Sequence, residues 1–253
     1  MQIIRSLAEF RKIRQNLSSN SIGFVPTMGN LHAGHQSLLE YSVANNDLSI
    51  LSIYVNPTQF NNKADLKNYP RTIEEDCALA KKLRVDYILI PQYEEIYSDN
   101  YAFRISENTE LSKILEGKCR SGHFTGMLTI VAKLLLITKP TKAYFGEKDY
   151  QQYLLVKEMS ESFFLDTQII ALPTKRDNNG LALSSRNNLL STAQLQQAPL
   201  FPRLLSSAKL SEKEISQLLT KEGFIVDYIK TYKNRRFGAV KLGKVRLIDN
   251  FEK

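Results

Sequence analysis

Apolar residues along this chain follow two alternating rhythms. Short, nearly unbroken runs rich in β-branched residues occur at 21–26 (SIGFVP), 48–55 (LSILSIYV), 85–91 (VDYILIP), 142–145 (KAYF) and 166–172 (DTQIIAL). Their length and make-up predict strands buried on both faces. Between them, apolar positions recur at helical spacing. Ser6-Leu7-Ala8-Glu9 carries the pattern of a capping box and opens a helix toward Leu17. Thr72-Ile73-Glu74-Glu75 repeats the pattern and starts a helix to about Arg84. Further helices are predicted over 35–46 and 149–162, and TGMLTIVAKLLLIT at 125–138 fits a helix or a buried apolar segment. Strands alternating with helices of this length predict right-handed βαβ units on a parallel sheet.

The rhythm changes after about Pro173. A polar loop (KRDNNG) leads to a helical pattern over 191–207, a second at 211–222, and short β-like pieces at 225–232, 236–241 and 244–248. Pro199 and Pro202 interrupt the first of these helices, which should kink or break there. This part reads as a small α+β second domain.

Composition narrows the class. The chain has 253 residues, 43% of them hydrophobic and 24% charged, the profile of a globular protein with a sizeable core. A formal charge of +8 admits nucleic acid or membrane surfaces as partners, and fits equally an enzyme with anionic substrates. The lysines are scattered; only KTYKNRR at 230–236 forms a run, and it reads as a solvated loop. The two cysteines, Cys77 and Cys119, make neither a disulfide framework nor a zinc ligand set. No stretch approaches the length of a membrane span, so a cytoplasmic protein is expected.

Candidate chemistry lies in five segments. In GFVPTMGNLHAGH (23–35) a buried strand runs into a glycine-bearing turn and a helix start, with His32 and His35 beside it. A strand-to-helix turn at the carboxyl edge of a parallel sheet, with backbone N–H groups and a partial positive charge, suits phosphate. The alternative, a metal site, needs a third ligand such as His123, and no HExxH or nearby cysteine supports it. YVNPTQF (54–60) supplies Asn56 and Gln59, uncharged hydrogen-bonders suited to a hydroxy acid, although Asn-Pro is also a common turn initiator. GKCRSGHFTGM (117–127) sets Arg120 and His123 before an apolar helix. FGEKDYQQ (145–152) offers Gly146 for close approach, Lys148 for phosphate charge, Asp149, and Gln152 on the same helical face as Lys148. GLALSSRNNLL (180–190) places Ser184, Ser185 and Arg186 on a loop able to bind a polyphosphate, or simply to cap a helix.

In this order, and with YPRT (69–72), PTKAYFGEKDYQQ (140–152) and LGKVRLIDN (242–250), these segments resemble the pantothenate synthetase (pantoate–β-alanine ligase) family across nearly the whole chain. The resemblance implies a Rossmann-like doubly wound parallel sheet over 1–174 and a small α+β C-terminal lid domain over 175–253. LHAGH and LSSRN would stand for the two signatures that this nucleotidyltransferase superfamily shares with class I aminoacyl-tRNA synthetases. It implies ATP-dependent condensation of pantoate with β-alanine through a pantoyl adenylate, releasing pyrophosphate and AMP. Met28, Gly29, Asn30, Leu31, His32, Ala33, Gly34 and His35 would hold ATP, with Gly146, Glu147, Lys148, Asp149, Lys175, Leu183, Ser184, Ser185 and Arg186. His35, His32, Lys148 and Arg186 would be catalytic, stabilising phosphate charge. Gln59 and Gln152 would bind pantoate, with Asn56, Arg120 and His123 in support. Mg²⁺ would arrive with ATP, with no protein metal cage, and the family implies a homodimer without nucleic-acid or membrane partners.

The chain departs from the family pattern at several points. Ala33 stands where Glu is usual, in a position expected to point outward; Ser121 replaces a proline; Lys175 replaces a common valine; Asn179 replaces an aspartate before Gly180. The alternatives are an adenylating enzyme for another acid, which the ATP motifs alone do not separate, and a non-catalytic nucleotide- or RNA-binding module suggested by the charge.

Overall fold

The computed structural model describes residues 1–253. Nine strands form: β1 (Gln2–Ile4), β2 (Ile22–Thr27), β3 (Leu48–Ile53), β4 (Tyr87–Leu89), β5 (Lys142–Gly146), β6 (Gln168–Leu172), β7 (Ile225–Tyr232), β8 (Arg235–Leu242) and β9 (Val245–Glu252). The helices are α1 (Leu7–Gln15), α2 (Ala33–Ala44), α3 (Lys63–Lys67), α4 (Ile73–Lys82), α5 (Tyr93–Ile96), α6 (Glu116–Cys119), α7 (His123–Thr138), α8 (Tyr150–Ser162), α9 (Thr192–Gln197), α10 (Leu200–Leu205) and α11 (Glu212–Lys221). The chain divides into two compact units, Met1–Gly146 with Gln151–Leu172, and Glu147–Tyr150 with Pro173–Lys253.

The first unit is a six-stranded, all-parallel sheet in the order β1-β4-β3-β2-β5-β6. From β2 the chain winds outward through β3 to β4, then returns to add β5 and β6 on the other side. The order therefore reverses between β2 and β5, the switch point at which open α/β sheets accept ligands beyond the strand ends. The period-2 alternation sends Val25, Leu51, Ile53, Ile88 and Tyr144 to one face, packed with Leu38 and Leu39 of α2 and Ala80 of α4. On this sheet α7 packs against β2 and α1 against α7. Helix α7 is buried almost all round, as its apolar composition requires.

Pro26 shapes the switch point. Ser21 O and Thr27 O accept from the β3 side, whereas Ile22 O accepts from Thr141 on the β5 side. Pro26 shares the parity of Ile22, so its missing N–H faces β5. Accordingly β2 pairs with β3 along Ile22–Thr27, but its pairing with β5 covers only Gly23 and Phe24.

The second unit is the antiparallel meander β7-β8-β9, covered by α10 and α11. Its core gathers Phe201, Leu205, Ile215, Leu219, Phe224, Val240 and Leu247. The expected break in the 191–207 helix occurs between α9 and α10, with Pro199 capping α10.

Three expectations need correction. The Thr72 hydroxyl does not cap α4; it donates to Asp76 Oδ1 at 3.2 Å. The run at 230–236 is not a solvated loop. It crosses the β7–β8 hairpin, and Arg236, 3% exposed, donates to the carbonyls of Leu205, Ser207 and Leu210. The helix after His32 begins at Ala33 rather than His35.

Asp99 gives a pH-dependent stabilisation of the first unit. The Phe103 N–H and the Lys133 ammonium hold its carboxyl well below the usual carboxylate range, at about 2. A depressed folded-state value means these bonds stabilise above the ordinary carboxylate pKa of about 4 and are lost as pH falls through about 2. The Asp99 carboxyl signal in an NMR titration should show its midpoint near about 2, moving upward in Lys133→Ala.

Candidate active site

The turn between β2 and α2 is fixed by a carboxylate that sequence reading passed over. Asp76, in the first turn of α4 and 2% exposed, accepts the backbone N–H of Asn30 at 2.9 Å and of Leu31 at 2.7 Å. Thr27 Oγ1 donates to Ser52 O and accepts from Gly29 N, closing the turn from the other side. Gly29 has φ +78°, and a Cβ there would stand 2.9 Å from Asp76 Oδ2 and 3.1 Å from Ile53 Cγ2. Only glycine satisfies both the left-handed backbone and the approach to Asp76.

The two histidines form a reciprocal cap at the start of α2. His32 Nδ1 accepts the Gly34 N–H at 3.1 Å, and His35 Nδ1 accepts the His32 N–H at 3.4 Å. A ring nitrogen that accepts carries no proton, so each neutral imidazole holds its hydrogen on Nε2 and is a donor there. The rings lie 4.1 Å apart. Gly34 lets His32 fold back, since a Cβ there would meet the His32 ring at 2.8 Å. No acidic residue occupies the first turn of α2, which keeps its positive end suited to an anion. Ala33 is exposed, as expected.

Following β3, the turn Pro57–Gln59 is held by groups from three elements. Asn56, 1% exposed, donates from Nδ2 to Gln59 Oε1 at 3.0 Å and to Gly126 O at 3.2 Å, and accepts on Oδ1 from Tyr97 OH at 2.7 Å. Its amide is committed within the chain. His123 is likewise committed on both ring nitrogens: Nδ1 donates to Gln59 O at 2.8 Å, and Nε2 accepts from Arg120 at 2.9 Å. It is therefore not available as a third ligand beside His32 and His35. Gly126 brings α7 against the turn, for a Cβ there would collide with Thr58 O and stand 2.8 Å from Gln59 N. Asn56, Arg120 and His123 thus converge on Gln59 as its supports. Gln152, half-buried on α8, makes no side-chain hydrogen bond within the chain and keeps its whole amide available.

In the second unit, Glu147–Asp149 form a short helical turn directly after Gly146. Asn250 donates from Nδ2 to Glu147 O at 2.9 Å and to Lys148 O at 3.0 Å, while Arg235 donates to Asn250 Oδ1 at 2.6 Å and lies 3.8 Å over the Tyr150 ring. The Lys148 ammonium stands 3.7 Å from Asp149. The neighbouring Asp249 is buried and forms a two-pronged pair with Arg176, at 2.6 and 2.9 Å. Burial pushes its carboxyl up while Arg176 pulls it down. Asp177 caps the turn after Arg176, accepting from Asn179 N and Leu181 N, both at 2.9 Å. The turn therefore depends on Asp177, and the Asn179 side chain leaves it unaffected. Lys175 O accepts the Leu183 N–H at 2.9 Å. Ser184 Oγ accepts from Arg186 N at 3.3 Å, so this serine caps its own turn.

The Asp76 clamp has a measurable weight. Asp76→Asn replaces one of the two accepting oxygens with a donor, setting it against a backbone N–H. It should lower unfolding stability by about 2 kcal/mol in a urea titration.

With this geometry in view, comparison with known proteins gives a consistent result. The family model for pantoate-beta-alanine ligase matches residues 2–252. The pantothenate synthetase of Coxiella burnetii (strain Dugway 5J108-111) is 51% identical over 249 residues, covering 98% of this chain and 96% of that protein. That of Bdellovibrio bacteriovorus is 49% identical over 251 residues, covering 99% of both. A crystal structure of the Francisella tularensis pantoate-beta-alanine ligase, complexed with beta-gamma ATP and beta-alanine, superimposes with a TM-score of 0.96 at 45% identity, covering 100% of this chain and 97% of that one. The Thermus thermophilus pantothenate synthetase gives 0.92 at 36% identity, covering 100% and 99%. Sequence and fold thus agree that the chain belongs to the pantoate–β-alanine ligase family.

Proposed function

We propose that this protein condenses (R)-pantoate with β-alanine, using ATP and releasing AMP and pyrophosphate. The observation that carries this reading is the start of α2, where two imidazoles fixed as Nε2–H donors flank a helix N-terminus with no acid in its first turn. That chemistry suits a polyphosphate, and membership of the family makes the polyphosphate ATP.

The reaction proceeds in two displacements. A pantoate carboxylate oxygen bonds to the α-phosphorus of ATP, the bond to the β-phosphate oxygen breaks, and pyrophosphate leaves. The amine of β-alanine then bonds to the acyl carbon of the adenylate, the acyl–oxygen bond breaks, AMP leaves and the nitrogen sheds its proton. Negative charge builds on the phosphate oxygens in the first step. Nε2–H of His32 and of His35 donate to them, and the cations of Lys148 and Arg186 offset the charge on the departing pyrophosphate. Met28, Gly29, Asn30, Leu31, Ala33, Gly34 and Gly146 provide close-fitting backbone around the nucleotide. Glu147, Asp149, Lys175, Leu183, Ser184 and Ser185 complete its binding. Gln59 and Gln152 hold pantoate, whose hydroxyls and carboxylate match uncharged amides. Mg²⁺ comes with the substrate as MgATP, held by phosphate oxygens. Dependence on ATP points to the cytoplasm, and the family resemblance points to a homodimer, which sedimentation analysis checks.

His35→Gln separates capping from chemistry, because glutamine at the third helical position also closes a capping box. The variant should unfold close to the wild-type midpoint while pantoate-dependent ATP–pyrophosphate exchange falls by at least about 100-fold. Exchange in the wild-type protein that ignores pantoate would overturn the assignment of the acid substrate, and near-normal exchange in the variant would remove His35 from the mechanism.

A further inference from the structure

The amide of Gln59 has one donating and one accepting end, and a ligand meets only the end that is turned toward it. A chain of hydrogen bonds starting at a backbone carbonyl decides which. Gly126 O can only accept, so the Asn56 group 3.2 Å from it is the amino nitrogen Nδ2. That amino group also donates to Gln59 at 3.0 Å, which makes the receiving atom Oε1. Gln59 Nε2 is therefore turned away from Asn56, to within 3.2 Å of Met28 Sδ, a weak acceptor in the turn after β2.

The far end of Asn56 is held by hydroxyls. Oδ1 accepts from Tyr97 OH at 2.7 Å and from Thr58 Oγ1 at 3.0 Å. Flipping the Asn56 amide would set Oδ1 against Gly126 O and Gln59 Oε1, three carbonyl oxygens together around a side chain that is only 1% exposed. Tyr97 is 1% exposed, and Lys133 lies 4.9 Å over its ring while donating to Ile96 O and Asp99. Burial pushes the phenol up to about 12, so it stays protonated and donating at neutral pH.

We propose that Tyr97 is a positioning residue for the acid substrate: its hydroxyl locks Asn56, and Asn56 in turn presents Gln59 to the substrate as an N–H donor. The inference rests on the reading that Gln59 binds pantoate.

A double-mutant cycle in the full-length enzyme tests it, using Tyr97→Phe, Gln59→Ala and the pair, with pantoate and ATP varied separately. Tyr97→Phe keeps the ring and removes only the hydroxyl. It should raise the KM for pantoate about tenfold, with the KM for ATP and the unfolding midpoint close to wild type. Because Tyr97 acts through Gln59, adding Tyr97→Phe to Gln59→Ala should cause no further rise. Gln59→Glu, which still accepts from Asn56 but offers the substrate no donor, should be at least as impaired as Gln59→Ala. An unchanged pantoate KM in Tyr97→Phe, full additivity in the pair, or near-normal pantoate binding by Gln59→Glu would each overturn the proposal. An unchanged pantoate KM in Gln59→Ala would instead overturn the substrate reading beneath it.

Discussion

The first unit turns on one buried carboxylate. Asp76 reaches from α4 to take the two N–H groups of Asn30 and Leu31, and it thereby fixes the only stretch of chain that joins β2 to α2. A carboxylate with 2% exposure is tolerable only when its oxygens are well supplied with donors, and here two amides and the Thr72 hydroxyl supply them. The direction in which α2 begins, the cap made by His32 and His35, and the orientation of both imidazoles follow from that anchorage. The amides of Asn30 and Leu31 are accordingly part of the framework.

The same division between committed and available groups runs through the rest of the site. Asn56 and His123 direct every side-chain polar atom to neighbours and so hold Gln59. Gln152 directs none. In the second unit Asp249 and Asn250, adjacent on β9, fasten two separate loops: one grips Arg176 beside Lys175, the other the carbonyls of Glu147 and Lys148. A displacement of β9 would therefore be felt at both loops together.

Much of this was legible in the sequence because it depends on local rules. Buried-strand runs, helical spacing and the proline break between α9 and α10 are properties of short windows, and the glycine-bearing turn before His32 announces a close backbone approach. The failures were of long-range origin. Strand β1 has only three residues, too few to show a period, and it forms because β4 lies beside it. Thr72 has the pattern of a cap, but Asp76 drew its hydroxyl away. Asp76 itself looked like an ordinary acid in a helix's first turn, since nothing nearby in sequence shows that residues 30 and 31 lie against it. Arg236 sat in a basic run, and three carbonyls contributed from 205–210 made it a buried strut.

Pro26 has a thermodynamic consequence. In most parallel sheets, parting two central strands to admit a ligand would cost backbone hydrogen bonds, and the binding energy would have to offset that loss. Here the pairing of β2 with β5 ends at Phe24, and beyond it Pro26 has no N–H to offer. Gly146, at the end of β5, has open space where a side chain would be. Beyond Phe24 there is thus no β2–β5 backbone pairing for a ligand to displace. The gap is written into covalent structure, so a ligand seated there would lose no affinity to the work of opening the sheet.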